Sequence, residues 1–506
     1  MNGTPMQLVF SPQNCTIEVL DKTLTPGRRN VADHIIGRMR QALDSGGSHH
    51  TLIVGPRGSG KTHLLAFISK TLSHSVGIPF NLVVLSEEER GVSTLLDILL
   101  AIFRHLDAVP SDYIQRIRSS GKDAPRDDAI RLFDEVIEGR PTIIMIEYLS
   151  DVLASMDEEE LHKLRALLEE RPHISLLASS VRLFENSASR HQPFHGFFTI
   201  QAIAALSPGE ARTFLSQVAE VSGREDLAQA LAKENAQARV NAMYRLTGGN
   251  HRLLAMLCAF LTEDRLSDLV RPFVQLIDRE LIPYYQQRLD RLSPQQNKII
   301  RAIADHHGRA MNVKDLAAYT FLSSQSVSRQ LHELQHGALV ERTPIGRESF
   351  YELSEPLLRH TLDLKEGRDR FLPFVVRFLR DWYDAERLQH SYPNIEKWLD
   401  RPRDLPKLLD FLKRAVSKNP ETLAGALTIW LRNNLPVRKE SAGQLQEANK
   451  ALRLAFGDIA DVAPILEVLA AVLAHVQGDG KAMLTLPMEI RTLVQEAQNE
   501  SSLVSP

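Results

Sequence analysis

The stretch "TLIVGPRGSGKTHLL", residues 51–65, constrains this chain more than any other. A short apolar run leads into a glycine-rich turn, and an amphipathic pattern follows. Gly55, Pro56, Arg57, Gly58, Ser59, Gly60, Lys61 and Thr62 satisfy G-x-x-x-x-G-K-[ST] at every fixed position. Glycines in such a loop let the backbone curl until its N–H groups converge on a phosphate. The positive end of the following helix adds to that cradle. Lys61 is placed to reach β- and γ-phosphates, Thr62 to ligate Mg²⁺, and His63 opens the helix behind them.

Three further apolar runs follow, at 81–86 ("NLVVLS"), 142–147 ("TIIMIE") and 174–180 ("ISLLASS"), and a fifth strand is expected within 197–206. Helical patterns separate them, at 61–72, 92–106, 127–138 and 158–169. Buried strands alternating with helices imply an α/β core with a parallel sheet covered on both faces. After residue 206 the strand signal stops. Ser207 followed by Glu210 reads as a capping box that opens a helical lid. The expected organisation is a P-loop core over 1–206, a helical lid over 207–291, a winged helix over 292–365 and a helical region over 366–506.

Hydrolysis needs an acidic residue at the end of a later strand. Glu147 ends "TIIMIE", with Tyr148 next and Asp151 four residues on. If Glu147 holds the metal, a tyrosine stands where a general base is usual. If Glu147 is the base, the metal carboxylate is missing. A phenol is a poor proton acceptor near neutral pH, so both registers point to slow turnover. A solvated strand-end carboxylate is the plainer alternative. The fourth strand ends in Ser179 and Ser180, with Arg182 beyond. Ser180 could orient water near a γ-phosphate, and Arg182 could neutralise developing charge. Arg190 could instead reach a neighbouring subunit's nucleotide. All three also read as ordinary surface loop residues.

These motifs in this order resemble the AAA+ ATPases, particularly the branch shared by origin-recognition-type initiators and STAND signalling ATPases. "LTGGNHRLL", residues 246–254, is similar to the turn that carries the second sensor in that branch. The resemblance implies that Arg252 or His251 approaches the nucleotide from the lid. "LTPGRRNVADHIIGRM" resembles the segment placed against the adenine, with Arg28 or Arg29 as candidates. It implies ATP with Mg²⁺ and ATP-dependent assembly into a homo-oligomer. The chain departs from the pattern at Glu147 and Tyr148, and at His251, where proline is more usual.

Residues 293–365 follow the order helix, helix, helix, two-stranded wing, with the wing turn around Pro344, Ile345 and Gly346. This resembles a winged helix, whose third helix enters the major groove of DNA. Ser324, Gln325, Ser328 and Arg329 open that helix, and Arg347 follows the wing turn. Such groups suit base edges and phosphates. The segment holds nine Lys or Arg against eight Asp or Glu. That near balance weakens the case for DNA, whose affinity comes mainly from phosphate neutralisation, and fits a protein-binding module equally.

Residues 366–506 carry no recognisable chemistry, and offer a surface for an effector or partner protein. Trp382, Trp398 and Trp430 read as core. The apolar run 463–476 is too short to span a bilayer and holds Glu467, so it reads as a buried helix. The N-terminal residues show no signal peptide pattern, and two distant cysteines, Cys15 and Cys258, fit a reducing cytoplasm. The expected function is an ATP-binding, slowly hydrolysing switch that couples nucleotide state to DNA. The alternative is a signalling ATPase that oligomerises on sensing a protein or ligand, without DNA contact.

Overall fold

A computed structural model describes residues 11–75, 79–86, 92–106, 109–119, 125–181, 193–233, 236–262, 269–306, 309–337, 339–365, 371–383, 409–410, 412–413, 420–435 and 442–503. The chain divides into two bodies. Residues 1–225 with 250–255 form one, and residues 226–249 with 256–506 form the other.

The first body is built on five strands: β1 (Thr51–Val54), β2 (Asn81–Leu85), β3 (Thr142–Ile146), β4 (Ile174–Ser180) and β5 (Thr199–Ala202). They lie in the order β2-β3-β4-β1-β5, and every pairing is parallel. Side chains alternate between the two faces of a strand. Leu52, Ile144, Ile146, Leu176 and Ala178 therefore share one core with helices Leu95–His105, Pro125–Ile137 and Glu158–Glu169. Ile53, Ile143, Met145 and Leu177 are buried on the opposite face. Because both faces are covered, the strands are apolar runs without alternation. β5 is the exposed edge, and only four residues of the expected 197–206 segment are strand.

Parallel strands put all their C-terminal ends on one edge, where ligands of open α/β sheets bind. Register aligns Val54 with Ser180, and Ile146 with Ala178. The glycine-rich loop, Glu147 and the end of β4 thus emerge along a common edge. The expected capping box is present: the Ser207 hydroxyl accepts from the Glu210 N–H at 3.3 Å, and Glu210 accepts from the Ser207 N–H at 2.9 Å.

In the second body, helices Pro294–Asp305, Val313–Thr320 and Ser324–His336 accompany a three-stranded antiparallel sheet whose first strand follows the first helix. Its strands, β6 (Met311–Asn312), β7 (Val340–Ile345) and β8 (Glu348–Leu353), lie in the order β6-β8-β7. This is a winged helix. Ile345 pairs with Glu348, so Gly346 and Arg347 form the two-residue turn. Gly346 takes φ +60, the left-handed value that a hairpin turn of this length requires at its first position. The apex therefore lies one residue beyond the sequence expectation. Proline directed that expectation, but strand pairing runs through Pro344, which aligns with Ser349.

The C-terminal region is helical where it is described. Trp382 and Trp430 are buried, and Trp398 lies outside the described residues. The run 463–476 is a helix, and its Glu467 reaches Arg309 at 3.3 Å. A buried ionic cluster fastens the last helix, Met488–Leu503, to the winged helix. Arg359 Nη2 lies 2.7 Å from Glu489 Oε1, His360 Nε2 lies 3.1 Å from the same oxygen, and Arg491 pairs with Glu352. Burial alone would raise the Glu489 carboxyl, but Arg359 and His360 outweigh it and hold it at about 2. Among the described residues no helix is long and apolar enough to cross a membrane.

Candidate functional site

The loop after β1 is held from three sides. Gly55 N–H donates to the Ser180 carbonyl at 3.1 Å, which ties the loop to the end of β4. Gly58 and Gly60 take φ +75 and +91, values that L side chains rarely adopt. A Cβ on Gly55 would strike the Ile203 carbonyl, and one on Gly58 would strike the Asn250 amide. One on Gly60 would stand 3.2 Å from the His251 ring. Close approach therefore requires Gly55, close approach and backbone angle together require Gly58, and backbone angle requires Gly60.

Asn250 is the third support. Its Oδ1 accepts from the N–H groups of Arg252 and Leu253, at 3.1 and 3.2 Å, and so caps the helix His251–Phe260. Its Nδ2 donates to the Arg57 carbonyl at 3.0 Å, while Arg252 N–H donates to the Gly58 carbonyl at 3.0 Å. One turn thus starts a helix and grips the glycine loop. The sequence expectation dwelt on His251 and Arg252 and passed over Asn250. An asparagine directly before a helix start was the available signal.

Pro12, Gly58, Gly60, Lys61, Thr62, His63, Tyr148, His251 and Arg252 line one solvent-open cleft of about 440 Å³. Lys61 Nζ donates to the Gly55 and Pro56 carbonyls at 2.6 and 2.9 Å and lies 5.6 Å from the centre of the Tyr148 ring. Arg57 stands 5.0 Å from the same ring centre and 3.5 Å from Asp151. Tyr148 itself has φ +52, rare for a bulky residue, and its N–H donates to Ser179 Oγ at 3.1 Å. Glu147 is half-buried at the strand end, with its N–H on the Leu85 carbonyl. Ser180 is fully buried in β4, beside β1. Arg182 and Arg190 lie outside the described residues.

Behind the loop sits a buried basic group. His63 and His251 are 5.2 Å apart, and Phe214 packs 4.0 Å from His251. The Thr23 hydroxyl donates to the Val19 carbonyl at 2.8 Å, so it accepts from His63 Nε2–H at 3.1 Å. That tautomer leaves His63 Nδ1 as an acceptor, buried and without a hydrogen-bond partner among the described residues. Ser59 Oγ, His251 Nε2 and Arg28 Nη1 are likewise buried and unpartnered. Burial, followed by the nearby Arg28 charge, pushes His63 down to about 4. His251 is pushed the same way by burial and then by His63 and Arg28. Burial also lowers Arg28, to about 10, and its Nη2 donates to the Ala204 carbonyl at 3.0 Å. Arg29 is turned elsewhere: it pairs with Asp21 and lies over Phe67.

A cradle of glycine backbone at a helix start, with a lysine and a threonine in it, suits a phosphate chain and a divalent cation. The parallel strand order and this loop give the first body a P-loop α/β fold, and the second body holds a winged helix. A MarR family profile matches residues 292–347. Solved structures with similar folds include the Walker-type ATPase of Pyrococcus abyssi, at 15% identity over 64% of this chain and 94% of that one, with a TM-score of 0.45. The Aeropyrum pernix Orc1 protein in complex with DNA is 12% identical over 72% of this chain and 97% of its own, with a TM-score of 0.44. Cdc6p from Pyrobaculum aerophilum is 13% identical over 70% and 94%, with a TM-score of 0.35. No curated protein matches the chain.

The third helix of the winged helix, Ser324–His336, exposes Ser324, Gln325, Ser328 and Arg329. Ser326, in contrast, turns back to Gln295 at 2.9 Å. Arg329 is 3.3 Å from Glu333 in an exposed pair, and Arg347 is exposed at the wing apex.

Proposed function

We propose that this chain is an ATP-binding switch whose winged helix engages duplex DNA, with slow hydrolysis resetting it. The grip of the Asn250 turn on the phosphate loop carries the reading. A phosphate chain settling on the loop N–H groups changes the same backbone that Asn250 and Arg252 hold, and the helix that starts there continues to Phe260. Binding energy can then shift the equilibrium between two arrangements, which is all that a switch needs.

The loop N–H groups and Lys61 would hold the phosphates, and Thr62 and Glu147 would hold Mg²⁺, directly or through water. Mg²⁺ held there would supply positive charge against the negative charge developing on the phosphates. Tyr148 stands beside Lys61 and Arg57. Its place after the strand-end acid supports slow turnover. Assembly into an ATP-dependent homo-oligomer and recruitment of a partner protein through 366–506 belong to the same proposal.

Salt-dependent duplex binding by the full chain, with and without ATP, tests the reading. Affinity should fall steeply with salt, by about tenfold or more between 50 and 200 mM for several phosphate contacts. It should also differ between nucleotide states. Absence of duplex binding at low salt in both states would refute it. A STAND-type transducer without DNA contact is the second reading. The near-even charge of the winged helix and the Arg329–Glu333 pair favour it.

A further inference from the structure

Phe321 breaks two rules at once. It is 91% exposed, although it is a large apolar side chain. Its backbone takes φ +58, where bulky residues are rarely found. The residue closes helix Val313–Thr320, a position at which glycine or asparagine is ordinarily favoured. A phenylalanine that stabilises neither the cap nor the core points to a contact outside the fold.

Its place narrows that contact. Ser323, two residues on, caps the groove-reading helix by accepting from Ser326 N–H at 3.2 Å. Exposed Ser324, Gln325 and Ser328 follow on the first turns of that helix. Lys298 Nζ donates to the Thr320 carbonyl at 3.3 Å, which sets a cation beside the turn. The neighbouring Tyr319 already has its hydroxyl on Asp305, at 3.0 Å. The surroundings are hydroxyl, amide and ammonium groups around one apolar ring. Protein-binding hot spots, by comparison, sit at the centre of well-packed apolar pockets. A thymine edge in the major groove offers the matching set: a C5-methyl for the ring, an O4 acceptor for hydroxyl or amide, and phosphates behind for the ammonium.

We infer that Phe321 is a specificity-determining residue that packs on the C5-methyl of thymine. The inference rests on the DNA reading above and adds the base to it. The test uses the full chain with ATP and two alternating duplexes, adenine–thymine and adenine–uracil, which differ at each step by a methyl group. The wild type should prefer the thymine duplex by about fourfold for each methyl engaged, from the cost of leaving one such group in water. Phe321→Ala should lose that preference while keeping its affinity for the uracil duplex, and Phe321→Leu should keep part of it. Since Phe321 is solvated in the free protein, neither variant should lower the melting temperature. Equal binding of both duplexes by the wild type, or a preference that survives in Phe321→Ala, overturns the inference but leaves DNA binding standing. Failure to bind either duplex refutes the DNA reading itself, and this inference with it.

Discussion

Asn250→Ala separates the two tasks of the turn that grips the phosphate loop. The substitution removes the cap to Arg252 and Leu253 N–H and the hydrogen bond to the Arg57 carbonyl. Losing an N-cap costs about 1 kcal/mol. Losing a part-buried hydrogen bond costs about 1 kcal/mol more. The sum, about 2 kcal/mol, lowers the melting temperature of a domain of this size by about 4–8 °C. The loop also loses a restraint on its left-handed glycines. If half or more of that restraint is needed to present the N–H groups, ATP affinity falls by about fivefold or more, which corresponds to about 1 kcal/mol or more. Thermal unfolding and a fluorescent-nucleotide titration read the two effects separately. Asn250→Asp keeps the cap oxygen, loses the donor and adds a negative charge beside the phosphate site. It should lower the melting temperature by about half as much as Asn250→Ala, because only the donor bond is lost, and weaken ATP more than Asn250→Ala does. If both variants bind ATP like the wild type, the turn is only a cap, and the reasoning that links it to nucleotide fails.

Lys61→Ala should lower ATP affinity by about a hundredfold or more, because a charge-assisted contact to phosphate is lost; equilibrium dialysis with wild-type-like affinity would remove the loop from the mechanism. Acid should weaken the first body. Buried neutral His63, at about 4, is below its unfolded value near 6.5, so its stabilisation is complete above 6.5 and is lost as pH falls towards 4. That amounts to about 2 kcal/mol by pH 5, and His63→Gln should flatten the slope of the urea midpoint between pH 7 and 5. Glu489→Leu should destabilise the second body by about 3 kcal/mol or more, because Arg359 would be left charged and buried. A loss under about 1 kcal/mol in urea unfolding would show that the cluster relaxes into water.

The parallel core and the glycine loop were legible because each is imposed by local chemistry. Strands buried on both faces must be largely apolar, and a backbone at φ +75 beside Asn250 admits only glycine. What stayed hidden depends on contacts between distant segments. Asn250 looks like a plain cap until Arg57, far up the chain, is beside it. Nothing in the sequence marks Arg359, His360 and Glu489 as buried, since charged residues are rarely buried unless paired, and the pairing spans the winged helix and the last helix. The exposure of Phe321, in the turn "FLSS", is hidden for the converse reason. Apolar character is visible in sequence, but the direction in which a residue at a helix end faces is not. The wing apex moved by one residue because pairing register, rather than proline, decides where a hairpin turns.

The same logic bears on the proposal that the site holds nucleotide more readily than it turns it over. A water-activating carboxylate must stand free near the γ-phosphate. The residue after the strand-end acid is Tyr148, whose left-handed backbone is fastened to Ser179 and whose ring faces Lys61 and Arg57. A phenol accepts protons poorly near neutral pH, so the geometry spends that position on orienting two cations. Among the described residues Glu147 is the carboxylate that directly follows β3, and it cannot serve fully as both metal ligand and base. Glu147→Gln discriminates between these roles. If Glu147 holds the metal, the variant should weaken ATP in Mg²⁺ but not in EDTA. If it is the base, binding should survive and turnover should fall by about a hundredfold or more, within the range for a lost general base. Unchanged binding and unchanged turnover would exclude Glu147 from both, and the odd pair Glu147 and Tyr148 would no longer explain a slow switch.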